Sequence, residues 1–314
     1  MCGARSVKLW RRSVRGRSLG RCSTASPRPT IGCRSGYPIE LVERAIARGR
    51  LSAGSRVLEI GCGTGKLTEL LAALGLEVDA VDPGARMVEL AERRVGPGAA
   101  VRFHLGRFED LDLPEGAFEA VFSATAFHWI DPSVGWVKAA SHLRAGGLLA
   151  LMQYLGVRDE QSASVDDALL GVLREQVPEI AADFQPSRDI ETLLRGADER
   201  RDNISEVWDW LGEHRHGLKR PEAATLFSDV IVDHAVTTLE QTADEVIDVF
   251  RTTSLYHRID PASRVAVERA DRVIIDAAGG TVSFPLATLL VTARRSCSGD
   301  VTATAARLDP QREG

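Results

Sequence analysis

Between Arg56 and Asp82 the chain reads Arg-Val-Leu-Glu-Ile-Gly-Cys-Gly-Thr-Gly-Lys and, after a leucine-rich stretch, Glu77-Val-Asp-Ala-Val-Asp82. Val57 to Ile60 is a short run of apolar, mostly branched residues, the composition of a strand buried on both faces. Gly61, Gly63 and Gly65 follow at alternate positions. Without a Cβ the backbone there can turn sharply and approach a ligand closely. Leu67, Leu70, Leu71 and Leu74 recur at helical spacing up to a stop at Gly75. A second strand, Glu77 to Val81, ends on Asp82, whose carboxylate can accept both hydrogen bonds of a ribose diol. Strand, glycine turn, helix, strand and acid in this order make the nucleoside half-site of a doubly wound α/β fold.

A dinucleotide site of this kind wants Gly-x-Gly-x-x-Gly, because the third glycine brings the helix close while its N-terminus faces a pyrophosphate. Here Lys66 occupies the third position, so that spacing fails. The pattern is Glu59-x-Gly61-x-Gly63-x-Gly65, with an acid two residues ahead of the glycines and Asp82 beyond the next strand.

The alternation continues downstream. A helix is expected over Ala85 to Val95, a strand over Val101 to Leu105, and another over Ala117 to Ser123 after the turn Leu113-Pro-Glu-Gly116. Ser133 to Leu143 reads as a helix and Leu148 to Met152 as the fifth strand. Strands alternating with helices predict a parallel doubly wound sheet, in which ligands bind beyond the strand C-termini. From about residue 155 to 228 the strand pattern gives way to amphipathic helices, read as an inserted helical cap over that edge. Asp229 to Thr237 then reads as a strand. Helices come next near Thr242 to Arg251 and Pro261 to Ala278, and Thr281 to Ala293 makes either a strand pair or one strand bent at Pro285. Upstream of the first strand, Pro38 starts a helix with Ile39, Val42 and Ile46 on one face.

Charge divides the chain. Residues 1–35 carry nine Lys or Arg and no acid, leaving 30 basic and 44 acidic residues, a net of −14, on the remainder. A body that acidic disfavours nucleic acid as a partner. The basic segment suits a disordered tail, a mitochondrial presequence or the product of a start codon set too far upstream, so the expected location is cytoplasmic, or mitochondrial if it is a presequence. Residues 296–314 read as a disordered tail. The five cysteines contain no Cys-x-x-Cys pair, and His214-x-His216 lacks a third ligand, so no metal site is expected. No apolar run is long enough to span a bilayer.

With Arg34-Ser-Gly-Tyr-Pro-Ile-Glu-Leu41, Val57-Leu-Glu-Ile-Gly-Cys-Gly-Thr-Gly65, Ala80-Val-Asp-Pro-Gly84, Ala124-Thr-Ala-Phe-His-Trp-Ile-Asp131 and Leu143-Arg-Ala-Gly-Gly147 in view, residues 36–295 resemble the class I S-adenosylmethionine-dependent methyltransferases, close to the methyltransferase-11-type small-molecule group. The resemblance implies a Rossmann-like sheet of seven strands, the last antiparallel, with S-adenosylmethionine as methyl donor. Carried over by position, Glu59, Gly61 and Gly63 would line the methionine end, with Cys62 and Gly65 in the same turn. Asp82 would hold the ribose, Pro83 would lie beside the adenine, and Phe108 and Glu109 would form the adenine loop. Relatives often place an acid where this chain has Arg107, so Glu109 stands in for it.

Methyl transfer is an in-line displacement at an activated carbon, so the protein mainly aligns the reactants and excludes water. A hydroxyl or carbon acid acceptor would be helped by a general base, and His128, just past the fourth strand, is the candidate. Trp129, Tyr154, Tyr256 and His257 are candidates for the acceptor pocket. The fourth strand lacks the Asn/Asp-Pro-Pro-Phe/Tyr ending of resembling amino-methylating enzymes, which directs the expectation to a small-molecule acceptor. The alternatives are a non-catalytic S-adenosylmethionine-binding partner protein and an NAD-dependent oxidoreductase.

Overall fold

The computed structural model describes residues 36–182, 186–212, 219–251 and 253–296. The expected basic leader, all of the tail beyond Ser296, and both His214 and His216 lie outside the described residues.

Seven strands form one sheet in the order β3-β2-β1-β4-β5-β7-β6. They are β1 (Arg56–Ile60), β2 (Glu77–Asp82), β3 (Val101–Leu105), β4 (Phe118–Ala124), β5 (Leu143–Gly156), β6 (Phe227–Thr242) and β7 (Thr281–Arg295). The first five pair in parallel, and β7 lies antiparallel between β5 and β6. The order reverses between β1 and β4, which puts a crevice at the C-terminal ends of those two strands.

Side-chain alternation sorts the strands onto two cores. One face carries Val57, Val78, Ala80, Phe122 and Met152 against helices α1 (Ile39–Gly49), α2 (Lys66–Ala73) and α3 (Ala85–Val95). The other carries Leu58, Ile60, Val81, Val121 and Leu151 against Trp136 of α4 (Pro132–His142). Helix α4 starts cleanly because Pro132 occupies its first turn and the Asp131 side chain accepts the Ser133 N–H at 2.8 Å.

Between β5 and β6 the chain forms α5 (Ala163–Gln176), α6 (Pro178–Ala181), α7 (Ile190–Asp198), α8 (Ile204–Gly212) and α9 (Ala223–Leu226). Leu193, Val207, Trp208 and Leu226 of α7 to α9 join the core around Trp136 and so complete a layer on the sheet. Helix α5 instead packs with the later helix α12 (Pro261–Ala277), Val172 meeting Val267 in a separate small core.

Strands five and six are longer than periodicity indicates. β5 begins at Leu143, because Leu143 pairs with Phe118 before a register shift reaches Leu148 and Ala120. β6 and β7 continue pairing from Thr237–Leu286 to Thr242–Thr281, beyond Gly156 where β5 ends. They form a ribbon that projects past the ligand edge and carries α10 (Ala243–Arg251), α11 (Ser254–Arg258) and α12. β7 is one strand through Pro285, which pairs with Thr238 just outside the last β5 partner, Leu286, so the missing N–H interrupts no central ladder. Asp233 of β6 binds Arg44 at 2.7 Å and also Arg48, fastening the ribbon's base to α1. Among the described residues no helix is long and apolar enough to cross a membrane.

Candidate active site

At the end of β1 the three glycines all stand at positive φ: 73° for Gly61, 53° for Gly63 and 76° for Gly65. Their surroundings differ. A Cβ on Gly61 would lie 2.2 Å from the Ala126 methyl, and one on Gly65 2.8 Å from Ala91 Cα, so these two allow protein to pack on protein. A Cβ on Gly63 would meet nothing within 4 Å. Gly63 alone therefore turns a bare backbone toward open space. The Gly61 and Cys62 N–H groups both donate to Val81 O, at 2.8 and 3.0 Å, which ties the turn to the end of β2. Cys62 is buried, and burial, reinforced by the charges of Glu59 and Asp82, pushes its thiol well above the ordinary range. It is a packing residue of the turn.

Asp82 faces that turn. Its Oδ2 accepts the Gly63 N–H and its Oδ1 the Gly84 N–H, each at 2.8 Å. Each oxygen keeps a lone pair for a further donor. Pro83 beside it is exposed. Beneath the turn Glu59 is 1% exposed, and its Oε2 has no hydrogen-bond partner among the described residues. Burial pushes the Glu59 carboxyl up to about 7; the Thr68 hydroxyl lowers it only in part, and the Asp82 charge raises it further. A buried acid with one oxygen unused, an open glycine and an acid with spare lone pairs thus share one end of the crevice. This donor set fits an aminoacyl nucleoside: Asp82 for a diol, Gly63 for close approach, Glu59 for a cationic end.

The loops after β3 and β4 form the opposite wall. Phe108 is buried, its ring 5.8 Å from His142 and under Lys138 Nζ at 5.4 Å, so the side chain belongs to the core. Lys138 Nζ also donates to the carbonyls of Glu109 and Leu111, at 2.8 and 2.7 Å, holding the loop down. Glu109 Oε1 accepts the Asp131 N–H at 3.1 Å and an Arg107 N–H at 3.0 Å. Burial works against its charge, but these donors and its own backbone N–H outweigh it and hold the carboxyl below the usual range. Arg107 therefore occupies the acid expected to replace it. His128 and Trp129 lie on a 3-10 turn, Phe127–Trp129, with ring centroids 5.1 Å apart; His128 is half-buried and Trp129 is 78% exposed.

Tyr154, at the far end of β5, is stacked on Tyr37, with centroids 5.1 Å apart and planes 10° from parallel. The Tyr37 Oη lies 3.2 Å from Thr125 Oγ1. Neither Tyr37 nor Thr125 stands out by spacing, and both reach the crevice only through folding; the available signal was that each lies within a motif, Gly36-Tyr-Pro38 and Ala124-Thr-Ala126. Tyr256 and His257 are placed differently. Tyr256 donates to Glu268 at 2.6 Å and sits beneath Arg264 at 4.8 Å, binding α11 to α12, while His257 is exposed beside it. Among the described residues no group of three or more His, Cys, Asp or Glu side chains could hold a metal ion.

Residues 57–147 match a family model described as a methyltransferase domain. A curated relative from Mycobacterium tuberculosis, named only as an uncharacterized methyltransferase, is 36% identical over 160 residues, 51% of this chain and 59% of its own length. A ubiquinone biosynthesis O-methyltransferase of Methylocella silvestris is 35% identical over 98 residues, 31% of this chain and 38% of its own. The chain thus matches little more than half of the first relative's length. Among solved structures, a protein of Anaeromyxobacter dehalogenans assigned as a type II methyltransferase superposes with a TM-score of 0.54 at 21% identity, over 84% of this chain and 97% of that one, which establishes the shared fold.

Proposed function

We propose that the chain is a class I S-adenosylmethionine-dependent methyltransferase, in keeping with the methyltransferase-domain match over residues 57–147 and the 36% identical methyltransferase relative, and that it binds S-adenosylmethionine at the β1–β2 crevice and methylates a small-molecule acceptor. The observation that carries this reading is the open Gly63 backbone beside Asp82, with Glu59 buried below. Asp82 would receive the ribose hydroxyls on its free lone pairs while Gly63 and Gly84 hold the carboxylate still. Glu59 would answer the charged methionine end, and its burial makes that interaction strong because little water screens it. Pro83 and the backbone of Phe108 and Glu109 would flank the adenine. When bound, the cofactor supplies a methyl group activated by its sulfonium.

The acceptor would enter between the turn carrying His128 and Trp129 and the stacked Tyr37–Tyr154 pair, beneath the helices of the projecting ribbon and α5, which would act as the cap. His128 would take the acceptor's proton where the nucleophile is a hydroxyl or an acidic carbon. The ubiquinone-pathway relative is an O-methyltransferase by name, which supports an oxygen acceptor as the first to try. Calorimetric titration with S-adenosylmethionine and S-adenosylhomocysteine, followed by transfer of a labelled methyl group into metabolite extracts, tests the reading. Absence of binding to both cofactors removes it; binding without transfer to any acceptor favours a cofactor-binding partner.

A further inference from the structure

The connection that leaves β4 is held in a costly conformation. Thr125, the first residue after the strand, stands at φ 55°, a left-handed value that a β-branched residue adopts only when its surroundings impose it. The next four residues shape the crevice. The Ala126 methyl fills the space that a Cβ on Gly61 would occupy, at 2.2 Å, so the connection rests directly on the glycine turn. Phe127–Trp129 then forms the 3-10 turn that presents His128 and Trp129. A change in φ at Thr125 would swing both side chains and lift Ala126 from Gly61.

Three hydrogen bonds hold Thr125 in place. Its N–H donates to Met152 O on β5 at 2.7 Å. Its hydroxyl donates to Ala124 O at 2.7 Å, which commits its proton. The contact at 3.2 Å between Thr125 Oγ1 and Tyr37 Oη is therefore one in which the tyrosine donates. Tyr37 precedes α1, 88 residues away in sequence, and its ring is fixed by the stack on Tyr154. Its hydroxyl is thus anchored independently of the connection it grips.

We infer that Tyr37 is a positioning residue: through its hydrogen bond to Thr125 it holds the strained β4 connection, and with it His128 and Trp129, in register with the glycine turn. The consequence for binding rests on the proposed methyltransferase site, whereas the structural role of Tyr37 rests on the geometry alone. Tyr37→Phe removes the donor and keeps the ring stack. Thr125→Gly removes the backbone cost, since glycine accepts this φ freely.

Two readouts separate the parts. The His128 ring resonance, followed by NMR in protein labelled at histidine and identified with His128→Gln, reports the connection without any ligand. Affinity for S-adenosylhomocysteine, by calorimetry, reports the crevice. Tyr37→Phe should move the His128 resonance and weaken the nucleoside by about three- to tenfold, the range of one lost hydrogen bond, in a chain that still melts cooperatively within a few degrees of wild type. In the Thr125→Gly background the same substitution should have almost no effect on either readout. An unmoved His128 resonance in Tyr37→Phe overturns the inference, and so does an equal effect in both backgrounds. If the wild-type chain does not bind S-adenosylhomocysteine, the proposed function fails while the His128 resonance still decides the role of Tyr37.

Discussion

Gly63→Ala separates a cofactor cradle from a merely tight turn. Gly54, on the turn ahead of β1, stands at φ 85° and, like Gly63 at φ 53°, has nothing within 4 Å of where a Cβ would be. Alanine at either position should therefore fold, at a cost of about 1–2 kcal/mol for the left-handed backbone, read as a drop of a few degrees in melting temperature. At Gly65 the added methyl would lie 2.8 Å from Ala91 Cα and 2.9 Å from its Cβ, so Gly65→Ala adds about 1–3 kcal/mol of overpacking and should lose much more stability. If the open space beside Gly63 belongs to the nucleoside, the methyl group meets ligand instead of protein. The same overpacking then falls on binding, and affinity for S-adenosylhomocysteine should drop by roughly five- to a hundredfold. Calorimetry on wild type, Gly54→Ala and Gly63→Ala, with thermal melts of all three, measures this. A folded Gly63→Ala that binds within about twofold of Gly54→Ala would refute the cradle.

Asp82→Ala should weaken S-adenosylhomocysteine by about 1–3 kcal/mol through an unpaired diol; unchanged affinity in calorimetry would place the ribose elsewhere. Glu59, pushed up to about 7 by burial, has to ionise before it can serve a cationic ligand, so affinity for S-adenosylmethionine should rise about tenfold per pH unit up to pH 7 and then level off, with proton release detected in buffers of different ionisation enthalpy. Asp271, buried on α12 with Oδ1 unpartnered among the described residues, is likewise pushed up to about 7, by burial and then by the Glu268 charge. Between about pH 4 and 7 the folded chain retains a proton there that the unfolded chain has released, so stability should fall by about 1 kcal/mol per pH unit and flatten above 7. Asp271→Asn should remove that slope from denaturation curves taken across the range. Tyr256→Phe should cost stability through the lost Glu268 bond and leave nucleoside affinity unchanged, as expected of a residue joining α11 to α12.

What could be read from the sequence divides along physical lines. The unit of strand, glycine turn, helix and strand from β1 to β2 was legible because its parts are neighbours in sequence: a glycine's backbone freedom and an acid at a strand end are local properties. Helix α4 was placed within a residue at each end: Pro132 sits in its first turn, and its last residue, His142, passes directly into β5. The ends of β5 and β6 were not legible, since their extra length comes from pairing with β4 and β7 and not from any alternation of their own. Phe108 shows the same limit at the level of a side chain. Its position in the loop after β3 follows from the motif, but the direction of its ring is set by His142 and Lys138, 34 and 30 residues downstream. Tyr256 and His257 carried suitable chemistry, but the fold employs Tyr256 as a tie to Glu268.

The same division bears on the proposed acceptor. The family match ends at Gly147, before β5 passes the edge of its parallel neighbours. Beyond that point lie Tyr154, the insertion α5 to α9, the projecting β6–β7 ribbon and the helices it carries; Tyr37 lies outside the match on the other side. Nearly every element able to enclose an acceptor is therefore outside the segment that defines the family, and the exceptions, His128 and Trp129, are held by the strained Thr125. A donor site needs one fixed geometry, because its ligand is shared across the family. An acceptor site varies with its ligand, and long-range packing lets it vary without disturbing the glycine turn. Substitutions at Tyr37, Thr125 and Tyr154 should therefore alter acceptor choice more than substitutions in β1 or α2, which should alter donor affinity alike for every acceptor.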